Sequence, residues 1–156
     1  MIASVATPPL TPMTQIVCDV GEMMSLGASA NGERRCIALL GGRVEGPELN
    51  GVILPGGSDW QLSRADGVLE IDAHYIILTA DGARVEVQSK GLRHGPPEVV
   101  ARLVRGEPVD PGEYFFRTVM RLSTGHPDWL HLNKVMALAA GRREARQVVL
   151  DVWRIG

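Results

Sequence analysis

The chain has 156 residues, of which 45% are hydrophobic and 22% charged, and its formal net charge is −2. These values are typical of one globular domain, and they exclude the basic surface by which proteins bind nucleic acid. No apolar run approaches the roughly 20 residues of a membrane span, and the N-terminus lacks the pattern of a signal peptide. We therefore expect a cytoplasmic protein with no nucleic-acid or membrane partner.

The domain is predicted to begin a short distance into the chain. Residues 1–13 are rich in proline and threonine and are interpreted as a flexible lead-in, which leaves residues 14–156 as a single domain. The two cysteines, Cys18 and Cys36, lie on separate strand-like runs without metal-ligand spacing. They are expected to be reduced thiols, and neither a metal nor a cofactor is expected.

Two strands are predicted in the first part of the domain. Residues 15–20 alternate apolar with polar side chains, and the strand is expected to continue past a kink at Gly21. The dipeptide Asn31-Gly32 is typical of a hairpin turn. A second strand follows at residues 34–40.

A stretch rich in glycine and proline, residues 46–60, interrupts this pattern. It has a β-type apolar run, Val52-Ile53-Leu54, at its centre. Glycine allows close backbone approach and proline fixes φ, so the stretch predicts a strand that begins and ends at tight bends. Asp59 and Trp60 leave the second bend, and a carboxylate beside an aromatic ring is the best indication of a site in this sequence.

The rest of the chain is mostly strands. Turns at Ala65-Asp66-Gly67 and at Asp81-Gly82 separate three strands of a meander. After these come a short helix at 96–105, a strand at 114–122, an ambiguous segment at 129–138 and a closing strand at 147–155. About eight short strands with one small helix predict an all-β, mainly antiparallel fold that closes into a small barrel, because closure removes exposed edges.

The meander predicts which side chains share a face. Pairing about the first turn puts Asp59 opposite Ala73, and pairing about the second puts Tyr75 opposite Gln88. One face then carries Asp59, Ala73, Tyr75, Glu86, Gln88 and Lys90. If this face lines the barrel, its carboxylate, phenol and amine can transfer protons to a small organic molecule. A one-residue slip would invert the face of a strand.

Three residues are predicted to be catalytic: Asp59 as the base, Tyr75 as the partner acid and Arg117 as the clamp for a carboxylate or enolate oxygen. Each has an alternative: Asp59 could accept amides of the Gly56-Gly57 bend, Tyr75 could be a core residue and Arg117 could face solvent. The residues expected to bind substrate are Arg34, Trp60, Glu86, Gln88, Lys90 and Asn133. Of the neighbours Arg34 and Arg35, one must face inward and the other outward.

Three motifs carry a resemblance to a known family. The run from Gly46-Pro47 through Gly51 and Pro55-Gly56-Gly57 to Asp59-Trp60 resembles the family of domain of unknown function 3237, also called UPF0311, as do residues 79–83 and 114–118. The resemblance implies a small barrel like the calycins or allene oxide cyclase, and a setting in aromatic or secondary metabolism. Ser123 and His131 depart from the family pattern.

Two functions follow from these expectations. The first is a cofactor-independent cyclase, isomerase, lyase or hydrolase that acts by acid–base catalysis on a small aromatic or lactone-like metabolite in the barrel. The alternative is a non-catalytic, calycin-type protein that binds small molecules, because barrels of this size can enclose one ligand.

We also predict a homodimer. The closing strand is apolar on both faces, with Val149, Trp153 and Ile155 opposite the set expected to face inward. Monomers usually cover such a patch, and two-fold pairing is the commonest way to do so; the alternative is that the helix at 96–105 covers it. Light scattering at low micromolar concentration tests the prediction, and a monomer there contradicts it. Trp153→Glu releases folded monomers if a dimer exists, and unfolds the chain if its own helix covers the strand.

Overall fold

Nine antiparallel strands form most of the protein in a computed structural model that describes residues 1–156. The strands are β1 (Leu10–Ser29), β2 (Gly32–Glu45), β3 (Gly51–Ile53), β4 (Gly57–Ser63), β5 (Leu69–Leu78), β6 (Arg84–His94), β7 (Phe115–Ser123), β8 (Met136–Arg143) and β9 (Gln147–Ile155). The helix α1 (Pro97–Val104) and two 3-10 helices, Pro111–Glu113 and Pro127–Lys134, lie between strands. No helix has the length and apolarity needed to cross a bilayer.

The sheet closes on itself. Strand β1 pairs with β2 on one side and with β9 on the other, so the first and last strands meet. Strands β3 and β4 share one place in the ring, because both pair with β2 and both pair with β5. The ring therefore has eight places, and the predicted all-β closed barrel is confirmed.

The glycine-rich stretch forms a short strand between tight bends, as its sequence indicates. The chain leaves β2 through Gly46, forms β3 and enters β4 at Gly57. A Cβ atom on Gly57 would lie 2.6 Å from Cβ of Tyr75, and one on Gly46 would overlap the backbone of Thr14. Glycine at these two positions lets neighbouring strands approach more closely than a side chain would allow.

The two hairpins of the meander have the same geometry, and this corrects one predicted register. Both loops read Ala-Asp-Gly, and their glycines, Gly67 and Gly82, have φ of +85° and +89°. Such loops have three residues, ending in a glycine of left-handed conformation. Asp59 is opposite Ala73 as predicted, but Tyr75 is opposite Val87 rather than Gln88. The one-residue slip turns every β6 side chain to the other face.

Two predicted boundaries also change. Strand β1 begins at Leu10 and pairs there with Ile155, so the predicted lead-in ends at Pro9 instead of Met13. Met13 is itself buried, with 1% of its surface exposed. The ambiguous segment at 129–138 divides between the 3-10 helix Pro127–Lys134 and strand β8.

The barrel interior has two unlike halves. At one end, fully buried apolar side chains fill the space: Ile16, Val44, Leu49, Ile77, Val85 and Met120. Further along the same strands, towards the other end, polar side chains join the lining and leave a cavity. The apolar half supplies the core that stabilises the fold, and the half with the cavity holds the candidate site.

The outer face of β9 is better covered than its sequence indicates. Val148, Leu150 and Val152 face inward, as expected. On the outer face Val149 is buried within the single chain, and Trp153 and Ile155 are half-buried. The homodimer stays a prediction for light scattering.

Candidate functional site

The cavity has a volume of about 50 Å³ and lies inside the barrel. Its wall is mostly apolar, with contributions from Ile37, Leu39, Ile71, Ala73, Phe116, Val148 and Leu150. Into this wall are set the polar side chains of Asp59, Gln61, Tyr75, Ser89, Arg93, Thr118 and Arg143. An apolar enclosure with a few convergent polar groups is typical of a small-molecule site.

Asp59 faces the cavity from β4. Its Oδ2 accepts a hydrogen bond from Nε2 of Gln61 at 2.8 Å, while its Oδ1 is buried and has no hydrogen-bond partner. Burial raises the pKa of Asp59 to about 6, and the hydrogen bond from Gln61 and, more weakly, the charge of Arg93 oppose that rise. The carboxylate accepts no hydrogen bond from the amides of Gly56 and Gly57, so the alternative in which Asp59 stabilises the bend is wrong.

Tyr75 faces the same cavity from β5, the strand that pairs with β4, on which Asp59 lies. Its side chain is only 5% exposed, and its hydroxyl has no hydrogen-bond partner. Burial raises the pKa of Tyr75 above its ordinary value, and the charges of Cys18 and Asp59 add to the rise. The phenol is therefore a neutral hydrogen-bond donor at physiological pH.

Thr118 completes a set of three. Its Oγ1, Oδ1 of Asp59 and Oη of Tyr75 are the buried side-chain polar atoms that lack a hydrogen-bond partner, and all three residues line this one cavity. Buried polar groups in folded proteins almost always have partners, because an unmade hydrogen bond is costly. Their concentration in one cavity indicates a place where a ligand supplies the missing partners.

Two arginines lie in the same cavity wall, Arg93 on β6 and Arg143 on β8. Burial, and then the charge of Arg143, lower the pKa of Arg93 to about 10. Burial also lowers the pKa of Arg143, and Asp59 opposes that change. The sequence interpretation missed both residues, because Arg93 lies beyond Lys90, where its strand was predicted to end, and Arg143 lies beyond the ambiguous segment. The alternation Ala137, Ala139, Gly141 and Arg143 was the signal that could have found the second.

A family model described as a protein of unknown function, DUF3237, matches residues 8–155. The chain belongs to the DUF3237 family. A UPF0311 protein of Rhodopseudomonas palustris is 41% identical over 140 residues, which cover 90% of this chain and 92% of the relative. The resemblance inferred from the glycine-rich motif is thus confirmed.

Solved structures of similar proteins have the same barrel. The crystal structure of the Rhodopseudomonas palustris protein superposes with a TM-score of 0.91 at 38% identity, covering 98% of this chain and all of the other. A protein from Acinetobacter baumannii, described as β-barrel-like, has a TM-score of 0.85 at 34% identity and covers 98% of this chain and 99% of its own.

One relative has an activity in its name. A hydroalkoxylation enzyme of Penicillium herquei is 43% identical over 49 residues, which are 31% of this chain and 32% of that protein. The crystal structure of an enzyme from the same organism has a TM-score of 0.77 at 21% identity, with both chains fully covered. At that identity the structural likeness shows a common fold.

Arg117 does not lie in the cavity of this DUF3237 barrel, so its predicted role as a clamp is wrong. Phe116 and Thr118 face inward on β7, and alternation turns Arg117 outward. Its guanidinium lies 5.5 Å from the ring centroid of Phe115 and donates to the carbonyl of Phe116 at 2.9 Å. The alternative of a solvent-facing arginine is the correct one.

The predicted binding residues of β2 and β4 also lie on the outer wall. Arg34 is exposed, and its guanidinium carbon is 5.4 Å from the ring centroid of Trp60, itself 39% exposed. Its neighbour Arg35 is half-buried and pairs with Glu33. Arg34 and Trp60 therefore form a surface contact outside the cavity.

The β6 residues Glu86, Gln88 and Lys90 face outward, because the observed register differs by one residue from the predicted one. Glu86 contacts Nε2 of His74 at 2.6 Å, and Lys90 is 3.8 Å from a carboxylate oxygen of Asp72. The inward positions on this strand belong to Val87, Ser89 and Arg93. The polar face predicted for β6 is therefore on the outer surface of the barrel.

Asn133 has a structural role in place of the predicted substrate contact. Its amide donates to the carbonyls of Thr124 and Leu130, and its oxygen accepts from the amide of Thr124 at 3.0 Å. These bonds hold the 3-10 helix Pro127–Lys134 against the end of β7. Ser123 and His131, which depart from the family pattern, are exposed and do not line the cavity.

A group of metal-ligand types lies near the same helix. Asp81, His126 and Asp128 have ligand atoms within 4.8 Å of one another. Asp81 already accepts hydrogen bonds from Thr79 and from Nε1 of Trp129, and Nδ1 of His126 accepts from the amide of Asp128. These contacts explain the group as a network that caps the helix.

Proposed function

We propose that this barrel is an enzyme that moves a proton within a small organic molecule, with Asp59 as the general base and Tyr75 as a hydrogen-bond donor. The observation that carries the proposal is the convergence of Asp59, Tyr75 and Thr118 on one cavity with buried polar atoms that have no partner in the protein. An all-apolar cavity would have favoured the alternative of a carrier.

The environment of Asp59 suits both accepting and returning a proton. With a pKa raised to about 6, the carboxyl group is mostly ionised at pH 7. It is nevertheless a stronger base than an exposed aspartate, and its acid form readily gives the proton back near neutral pH. Gln61 holds one carboxylate oxygen, which leaves Oδ1 directed to the substrate.

Tyr75 is suited to stabilise charge that develops on the substrate. Its hydroxyl stays protonated because burial raises its pKa, and it has no acceptor in the protein. A fixed donor in an apolar enclosure stabilises a developing oxyanion more strongly than water does. Tyr75 is thus proposed as a hydrogen-bond donor and not as the partner acid, because a phenol of raised pKa gives up its proton poorly.

The Penicillium herquei relative supports a specific reaction, because hydroalkoxylation adds the O–H of an alcohol across a carbon–carbon double bond. In the proposed course Asp59 takes the hydroxyl proton, the oxygen forms a bond to one alkene carbon, and the π electrons move through the second carbon onto a carbonyl oxygen conjugated with it. Tyr75 donates a hydrogen bond to that carbonyl oxygen while it is negative. The proton then passes from Asp59 to the second carbon, so atoms and charge balance and the product is a cyclic ether when both groups belong to one molecule.

Deuterium incorporation tests the proposal before the substrate is known. Small molecules that co-purify with the protein are identified by mass spectrometry and returned to the enzyme in D₂O. We expect one compound to gain a single deuterium on carbon. If the protein retains compounds but changes none of them, the carrier alternative is correct.

The rate of that incorporation is expected to rise with pH and to level off above about 6, because the base must be ionised and the pKa of Asp59 is raised to about 6. Initial rates between pH 4.5 and 8, each checked for retained fold by circular dichroism, measure the profile. A rate that is independent of pH across this range contradicts Asp59 as the base.

A further inference from the structure

We propose that Arg93 and Arg143 form an oxyanion subsite, so that the cavity takes a small, largely apolar molecule carrying a carboxylate or a phenolate. The inference names the substrate class of the site in the proposed function and rests on it to that extent. The two side chains line the same cavity from β6 and β8, on either side of β7.

The first argument is that these cations have few partners within the chain. Arg93 makes neither a side-chain hydrogen bond nor an ion pair, and Arg143 donates only to the carbonyl of Gln147, at 3.1 Å. Asp59 lies in the same cavity but is not within ion-pair distance of either guanidinium. Two guanidinium groups thus share the cavity with one unpaired carboxylate.

The second argument is that other arginines of this protein do find carboxylates. Arg64 pairs with Asp66, Arg102 with Glu113 and Arg154 with Glu48. Those pairs lie towards the surface, where an ion pair contributes little to stability. Arg93 and Arg143 line the cavity without such a carboxylate, although a buried charge without a partner is the costlier arrangement.

The third argument concerns what would satisfy them. A guanidinium presents N–H donors in a planar fork that matches a carboxylate, and its hydrogen bonds to an ionised oxygen are stronger than neutral ones. Charge favours the same outcome, because the pKa of Arg93 is lowered only to about 10 and this guanidinium therefore stays charged at pH 7. An oxyanion would neutralise the surplus positive charge.

The apolar wall limits the rest of the ligand. Ile37, Ile71, Phe116 and Leu150 surround the cavity, so the body of the molecule is expected to be hydrocarbon or an aromatic ring. Tyr75 and Thr118 offer neutral polar atoms in the same enclosure. A ligand with an oxyanion for the arginines, a second oxygen for these hydroxyls and an O–H group for Oδ1 of Asp59 gives every unpaired group a partner.

Isothermal titration calorimetry with matched probes tests the subsite at pH 8. Benzoate supplies a carboxylate, 4-nitrophenolate supplies a phenolate, and benzamide and nitrobenzene are their uncharged counterparts. We expect at least one anion to bind about tenfold or more tightly than its neutral counterpart, as charge-assisted hydrogen bonds imply. The anion that does so identifies the source of the oxyanion. Equal affinities for charged and neutral probes, or no binding of either anion, overturn the inference.

Variants locate the preference. Arg93→Gln and Arg143→Gln are each expected to reduce anion affinity by about tenfold or more and to leave the neutral probes unchanged. Arg35→Gln is the matched control, because Arg35 is half-buried on β2 but already pairs with Glu33. Loss of the preference in the control, or its survival in both test variants, contradicts the subsite. Two test variants are used so that poor folding of one leaves the other decisive.

Asp59→Asn separates this inference from the proposed function. If the protein prefers anions but Asp59→Asn turns over substrate as fast as wild type, the proposed function is overturned and the subsite stands. If Asp59→Asn loses turnover but the protein shows no preference for anions, the subsite is overturned and the proposed function stands.

Discussion

Replacing Asp59 with Asn is expected to lower the rate of proton transfer by about 10²- to 10⁴-fold, the usual contribution of a general base. Asparagine has nearly the same shape, and its oxygen can still accept the hydrogen bond that Gln61 donates at 2.8 Å. It cannot take a proton from the substrate. The loss therefore appears in the chemical step, and binding of the anionic probes is retained.

The same change is expected to raise stability at pH 7. The pKa of Asp59 is raised from 3.8 to about 6 on folding, so the folded state binds the proton more tightly than the unfolded state. Stability then falls as pH rises from about 4 to about 6 and stays level above that. The ionised carboxylate costs up to about 3 kcal/mol at pH 7, and the uncharged amide of the Asp59→Asn variant would carry no such cost.

Thermal unfolding followed by circular dichroism, together with the deuterium assay, measures both effects. The Tm of Asp59→Asn is expected to exceed that of the wild type at pH 7 and to equal it near pH 4. Asp72→Asn is the control, because Asp72 is paired with Trp60 in the register and lies near Lys90 on the outer wall. A variant at Asp59 that unfolds, or melts lower than wild type, shows that the residue is structural.

Gly91→Ala is expected to destabilise the barrel by more than about 4 kcal/mol or to prevent folding, a loss found when a substitution collides with fixed backbone. Gly91 pairs with Thr118 across β6 and β7. A Cβ atom there would overlap the carbonyl oxygen of Arg117 and lie 2.6 Å from Cα of Thr118. Since both obstacles belong to the main chain, the two strands must separate to admit the methyl group.

Urea unfolding of Gly91→Ala and of a control, Gly125→Ala, measures the difference. Apart from its own chain neighbours, no residue has an atom within 4 Å of a Cβ placed on Gly125, and its φ is not positive. The control is therefore expected to stay within about 0.5 kcal/mol of wild type. Similar stabilities for the two variants would show that β6 and β7 can move apart without cost.

The sequence was sufficient to place Asp59 and Tyr75 on the cavity face because their register depends on one hairpin. A loop of three residues, Ala65-Asp66-Gly67, was correctly assigned, and strand alternation did the rest. The next loop has the same residue types, Ala80-Asp81-Gly82, but was interpreted as a turn of two residues. That single difference placed Glu86, Gln88 and Lys90 on the wrong side of the wall.

The two arginines lay outside the reach of such local arguments. Arg93 and Arg143 lie on β6 and β8, which do not pair with each other, and β7 between them brings them to one cavity. Their proximity depends on the registers of two successive strand pairs, β6 with β7 and β7 with β8, which no local pattern in the sequence predicts. Arg117 was chosen in their place because an arginine inside a strand needs a partner if it points inward, yet alternation around the buried Phe116 and Thr118 turns it outward.

The pairing of β1 with β9 has a consequence for the order in which the protein folds. Ile16 lies opposite Leu150, so the ring closes through contacts between residues at nearly opposite ends of the sequence. The entropy lost on closing a loop grows with its length, and folds dominated by such contacts form slowly, commonly in milliseconds to seconds. A chain in which β1 and β9 have not yet paired is an open sheet with two free edges, and its cavity is not closed. Aggregation during refolding is therefore expected to compete with closure, through the edges of β1 and β9.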